Sequence, residues 1–367
     1  MKFLIDCHEF DKAHQGTTVY VKNLFSRLIR DRDDIQFILC AKDIEGLRTI
    51  FGNEHHYIRL TSSNLISRIL IEYPRIIKKH KVDYCHFNYI IPLLKSRSCN
   101  YLVTIHDVLF LDFKNLFSWR YILPRAVLFN ISAKRANHVY TVSKYSKVRI
   151  RKKFRIKEDK ITVLVNGINH ILDVKADDKF LPEDILSEKY ILSVGRIETR
   201  KNQEMLLDIY LKNKYYENEI KLVYVGSKAF STKRFQNKIK NLKSSGLEKN
   251  VVFLENVSEK TLITLYKYCL VHVYISKCEG FGIPPLESAA IGTLTICSNT
   301  TAMSDFDFFN GFHVNPSDEN KIKILIDEAV NGANKLLMTD LKNIQRIIKN
   351  KYNWNQSANI LNSQLSK

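Results

Sequence analysis

No run of this 367-residue chain is both long enough and apolar enough to cross a membrane; the longest uncharged stretches, such as 288–304, are polar or too short. The seven cysteines are scattered, odd in number and without a C-x-x-C pair, which excludes a zinc ribbon or a disulfide framework and leaves reduced structural thiols. Internal repeats and low-complexity tracts are missing. So are H-E-x-x-H, a Walker loop and G-x-S-x-G, which removes the common protease, NTPase and hydrolase readings. Acidic residues are few beside basic ones: 38 against 57, a net charge of +19. The shortage is local. Residues 1–160 hold 30 Lys and Arg against 15 Asp and Glu, and the remaining 207 hold 27 against 23. A basic first half calls for an anionic partner or is simply a solvated lysine-rich surface. No nucleic-acid recognition motif or aromatic-basic repeat accompanies it.

What is present is a succession of short apolar runs separated by loops and amphipathic stretches, enough for two α/β domains. Strands are expected at 3–6, 36–40, 56–60, 82–87, 101–105, 138–142 and 161–165, and in the second half at 190–195, 221–226, 251–255, 271–275 and 293–297. The chain opens directly on a strand, with no signal peptide expected before it. Residues 170–188 are charged and aperiodic, as a linker would be.

The most informative stretch is Lys277 to Glu287, K-C-E-G-F-G-I-P-P-L-E. It stands between two strands, with prolines opening a short helix and Gly292 closing it. Its loop therefore lies at the carboxyl edge of a parallel sheet, where open α/β sheets bind ligands. Glycines let backbone N–H groups approach a ligand, and carboxylates at 279 and 287 suit sugar or ribose hydroxyls. Upstream, S-V-G-R-I-E-T-R-K-N (193–202) places Arg196 and Lys201 after another strand. Fixed cations there stabilise charge gathering on phosphate oxygens.

These two stretches resemble the E-x7-E and G-R-x4-K-N signatures of family 4 of the retaining glycosyltransferases. The resemblance implies the GT-B fold: two Rossmann-like domains facing each other across a cleft, with a C-terminal helix crossing back. Carried residue by residue, it gives Glu279, Gly280, Phe281 and Gly282 the donor sugar, Glu287 the ribose, and Arg196 and Lys201 the donor diphosphate, with Gly195 in that loop. Asn256 and Val257 fall near the nucleotide base. Gly16, in a loop before a helix, inherits a donor-facing role, and His106, in an H-D pair after a strand, lies near the reacting sugar. The other histidines of the first loop, His8 and His14, are assigned no task.

The resemblance further implies an acceptor-binding domain at 1–172, a linker at 173–189, a nucleotide-sugar domain at 190–350 and a returning helix at 351–367. It implies sugar transfer with retention from a nucleotide diphosphate sugar, needing no metal or other cofactor. The D-x-D pairs at 31/33 and 305/307 are read as chance. The acceptor is expected to be a saccharide, lipid-pyrophosphate-linked, in surface polysaccharide or O-antigen assembly. The enzyme is then expected in the cytoplasm, with peripheral attachment to the inner membrane face as the further expectation. A GT-B epimerase or hydrolase of the nucleotide sugar is the other enzymatic reading. The stretch 117–130, F-S-W-R-Y-I-L-P-R-A-V-L-F-N, reads as a core helix in preference to a membrane-docking one.

Overall fold

The structure, a computed structural model, describes residues 1–11, 16–62, 64–228, 232–332 and 335–365; His14 lies outside them. The chain divides into two units, Met1–Gly167 with Asn353–Lys367, and Ile168–Tyr352.

In the first unit seven strands form one parallel sheet: β1 Lys2–Asp6, β2 Gln36–Ala41, β3 His56–Arg59, β4 Tyr84–Asn88, β5 Asn100–Thr104, β6 His138–Thr141 and β7 Ile161–Val163. Their order is β3-β2-β1-β4-β5-β6-β7. Leu4 pairs with Ile38 on one side and Cys85 on the other. The central strands are covered on both faces, so they read as unbroken apolar runs and not as alternation. The order reverses between β1 and β4, and the carboxyl ends of those strands frame a crevice.

The second unit repeats the plan with β8 Lys189–Val194, β9 Ile220–Val225, β10 Val251–Leu254, β11 Val271–Tyr274, β12 Thr295–Ser298 and β13 His313–Val314, in the order β10-β9-β8-β11-β12-β13. Its reversal lies between β8 and β11. Ile191, Leu222, Val273 and Ile296 are fully buried at its centre.

β5 stops at Thr104, and His106 and Asp107 stand in the loop just past it, where the sequence puts them. Other expectations meet a different structure. Residues 173–189 are not a free linker. They form short 3-10 turns at Asp178–Phe180 and Glu183–Ile185, and Ile185 is buried with Tyr190 and Leu192. The first unit ends at Gly167, not at 172, because Ile168 N–H donates to the Tyr352 carbonyl and so belongs to the second. The helix Trp354–Leu365 belongs to the first unit, with Trp354 against Tyr20 at 5.9 Å between rings.

The helix Trp119–Arg135 contradicts the core reading over its first half. Only Phe129, Ser132 and Ala133 are buried, while Trp119, Leu123 and Val127 are 69, 60 and 50% exposed. Periodicity finds an apolar stripe but not what covers it. No helix among the described residues is long and apolar enough to cross a membrane.

Candidate functional site

The richest cluster of charge in the second unit sits at its strand reversal. β8 leads into Gly195, whose φ of 143° suits glycine; a Cβ on the neighbouring Gly226 would meet the Gly195 carbonyl at 2.4 Å. The Gln203 side chain donates to the carbonyls of Gly195 and Arg196 at 3.2 and 3.1 Å, pinning the loop. A 3-10 turn, Thr199–Lys201, then leads to Asn202, left-handed at φ 62°, whose amide donates to the Pro316 carbonyl at 2.8 Å.

This folding turns Arg200 and Lys201 toward the loop after β11. Lys201 Nζ lies 2.6 Å from Glu279 Oε1 and donates to the Tyr274 hydroxyl at 2.7 Å. Arg200 holds the other Glu279 oxygen at 2.6 Å and pairs with Glu198 at 2.6 Å. The Ser276 hydroxyl donates to Glu279 Oε1 at 2.7 Å. Burial opposes ionisation of Glu279, but Arg200 and Lys201 outweigh it and hold the carboxyl down at about 2. Burial pulls Lys201 below the usual lysine range, with Glu279 opposing the shift.

Glu287 stands apart, on the helix Ile283–Ile291. The Tyr266 hydroxyl donates to it at 3.2 Å, and burial pushes its carboxyl up to about 7. The two carboxylates that bracket the glycine loop thus have opposite surroundings, one among cations and one without. Gly282, at φ 106°, holds a backbone conformation that favours glycine, and a Cβ there would press on Met303 at 3.0 Å. Phe281, expected on the donor, is instead buried in an aromatic cluster, 5.8 Å from both Phe306 and Tyr352. Its ring anchors the loop.

Thus Gly195, Lys201 and Glu279 are brought together. Arg196 is exposed beside them and takes no part in their pairs. Gly280 is buried within the glycine loop. Asn256, left-handed at φ 54°, and Val257 follow β10, an edge strand two places from β8. Arg200 was missed by sequence reasoning; its only signal is its place next to Lys201.

The first unit has its own site, at the carboxyl ends of β1, β4 and β5. His106 is buried, with Nε2 3.3 Å from Asn88 Oδ1 and its ring edge-on to Tyr20. Burial holds it down at about 4, so it is neutral at pH 7. Gly16 begins the helix Gly16–Arg30, with open space where a side chain would be. His8, given no task by the sequence, is central here. Its Nδ1 lies 2.8 Å from Asp6 and its Nε2 3.0 Å from Glu9. Burial works against its charge, but Asp6 and Glu9 prevail and raise it to about 9. Tyr73 also donates to Asp6. A cavity of about 460 Å³ opens over these residues.

Comparison with known proteins agrees across the chain. The profile described as Glycosyltransferase Family 4 matches residues 14–171, and that described as Glycosyl transferases group 1 matches residues 176–354. The O-antigen chain mannosyltransferase RfbU of Salmonella typhimurium is 27% identical over 351 residues, 89% of this chain and 92% of the relative. Among solved structures, sucrose-phosphate synthase from Thermosynechococcus elongatus superposes with a TM-score of 0.76 at 17% identity, covering 100% of this chain and 98% of that one. Anabaena HepE in complex with UDP-glucose gives 0.72 at 15% identity, covering 100% and 99%. With its halves matched in turn by these two profiles, and with the two parallel sheets that they lead one to expect, the chain belongs to the GT-B glycosyltransferases of family 4, the glycosyl transferases group 1.

Proposed function

We propose that this glycosyltransferase moves a sugar, with retention and without a metal, from a nucleotide diphosphate sugar to a hydroxyl of a lipid-linked saccharide in O-antigen or related surface polysaccharide assembly. The observation that carries the donor reading is the meeting of Lys201 and Glu279 at 2.6 Å, beside Arg200 at the ends of β8 and β11. In a sugar diphosphate, hydroxyls and phosphate oxygens are close neighbours, so a carboxylate and an ammonium side by side suit the two halves of the ligand. Arg196, exposed and outside those pairs, is the cation open to the diphosphate. As the glycosidic bond breaks, charge grows on the phosphate oxygens, and positioned cations lower that barrier. Glu279, ionised throughout the physiological range, accepts hydrogen bonds from the sugar.

The acceptor hydroxyl attacks from the leaving-group side and passes its proton to a diphosphate oxygen. In the first unit, His106 is neutral and offers hydrogen bonding without adding a cation. The surface-polysaccharide context is supported by the O-antigen relative, and the nucleotide sugar by the UDP-glucose complex of HepE. Mannosyl nucleotides are therefore the first donors to test. The exposed apolar face of Trp119–Arg135 in a strongly basic half supports peripheral attachment to the inner membrane face.

The test is turnover with mannosyl nucleotides and a lipid-linked acceptor, with the anomeric configuration of the product read by NMR and activity measured with and without a chelator. Glu279→Ala and Lys201→Ala are each expected to lower turnover by roughly 100-fold, the scale of one lost charge-stabilising group. An inverted product, loss of activity on chelation, or unchanged turnover in both variants would each remove its part of the reading.

A further inference from the structure

The cavity of the first unit carries cations that nothing in the donor chemistry uses. Arg68 lines it from the turn Arg68–Glu72 and is only 9% exposed. Among the described residues no carboxylate pairs with it, and its Nε has no hydrogen-bond partner. Arg125 lines the same cavity from the helix Trp119–Arg135, with its guanidinium over the Tyr121 ring at 3.7 Å and a long 3.4 Å contact to the Tyr121 carbonyl. Asn88 Nδ2, another buried donor on this wall, also lacks a partner.

The cavity's carboxylates do not answer these cations. Asp6 and Glu9 are taken up by His8, and Asp107 accepts from the Leu109 N–H. A buried guanidinium without a counter-charge is costly, and two unmet donors beside a second, half-exposed guanidinium on one space ask for a ligand rich in acceptor oxygens. Two guanidiniums match a phosphate or pyrophosphate group.

The rim says what that group is attached to. Tyr121, Arg125 and Leu128 turn one side of the helix to the cavity, while Trp119, Leu123 and Val127, spaced four apart, leave an adjacent apolar side exposed. Across the cavity mouth Leu65 lines the wall, and its neighbour Ile66 is 60% exposed. We propose that Arg68, Arg125 and Asn88 hold the phosphate or pyrophosphate of a lipid-linked acceptor, with the lipid chain lying along Trp119, Leu123 and Val127. This rests on the acceptor reading above and adds the residues that read the acceptor's anion.

The test separates this site from the donor site. In an Arg196→Ala/Lys201→Ala background, inorganic pyrophosphate is titrated by calorimetry. One site is expected, weakened by about 10- to 100-fold on adding Arg68→Met and Arg125→Met, as for lost charge-assisted hydrogen bonds. Arg125→Met alone, at a half-exposed position, gives the same direction should the Arg68 variant fail to fold. Neutral phosphatidylcholine vesicles are then sedimented with and without a polyprenyl phosphate. Retention is expected only with the carrier, lost with Arg68→Met/Arg125→Met and with Trp119→Ser/Leu123→Ser/Val127→Ser, the latter keeping pyrophosphate binding. Pyrophosphate binding unchanged by either arginine substitution overturns the site. Arginine-dependent binding of glucuronate in place of pyrophosphate overturns the phosphate assignment. Arginine-dependent pyrophosphate binding without carrier-dependent retention overturns the lipid source and assigns a soluble phosphorylated acceptor.

Discussion

Glu279 and Glu287 show how little a residue type says before its surroundings are known. Seven residues separate them, yet the first is held at about 2 by Arg200 and Lys201 and the second is pushed to about 7 by burial. The sign of the pH effect follows. For Glu287 the folded value lies above the usual 4.5, so the fold favours its protonated form. Its contribution is fully present below about 4.5 and is lost as pH rises through about 7. Glu287→Gln removes that loss and keeps an acceptor for Tyr266. Its melting temperature is expected to match the parent at pH 4.5 and to exceed it at pH 8, by roughly 1–3 kcal/mol of stability. Equal melting at both values would show that Glu287 is ionised without cost. The carboxylates themselves were legible in the sequence because glycines and prolines frame them. Arg200, Arg68 and the His8 pair were not, since pairing and burial of a lone charged residue depend on distant parts of the chain.

At the scale of elements, sequence signals worked where local chemistry decides the outcome. Ser143 precedes a stretch with six cations, and the structure starts a helix there, Lys144–Phe154, with the Ser143 hydroxyl accepting from the Ser146 N–H at 3.0 Å. The helix has no acidic residue in its first turn, so this cap is its main defence against Lys144 at the positive end of the dipole. Ser143→Ala is expected to cost about 1 kcal/mol, read as a lower urea midpoint with unchanged slope. A midpoint equal to the parent would assign the helix's hold to the sheet alone. The helix Trp119–Arg135 is the contrary case. Its apolar residues have helical spacing, which is also what a core helix shows, and the sequence holds no mark of which side meets other residues. Pro124 inside it removes one backbone bond, a cost the sequence reveals without its purpose.

At the scale of the whole molecule, the chain builds two units, each with its own sheet and buried core, and sends its last helix back to the first. Trp354 opens that helix fully buried, pressed against Gly167 at the first unit's other end. A Cβ at 167 would stand 2.3 Å from the Trp354 backbone nitrogen and 2.7 Å from its ring, so the two ends of the unit fit only with glycine there. Overpacking of this kind costs about 1–3 kcal/mol. The chain has two tryptophans, and the other, Trp119, is 69% exposed. In a Trp119→Phe background, fluorescence therefore reports Trp354 and with it the first unit. Adding Gly167→Ala is expected to lower the fluorescence-detected unfolding midpoint while the remaining calorimetric transition, from residues 168–352, stays in place. A fluorescence midpoint that does not move would mean that the helix Trp354–Leu365 is held by its other contacts, the Tyr20 ring and the bonds from Tyr140 to Gln364 and from Ser357 to the Val165 carbonyl.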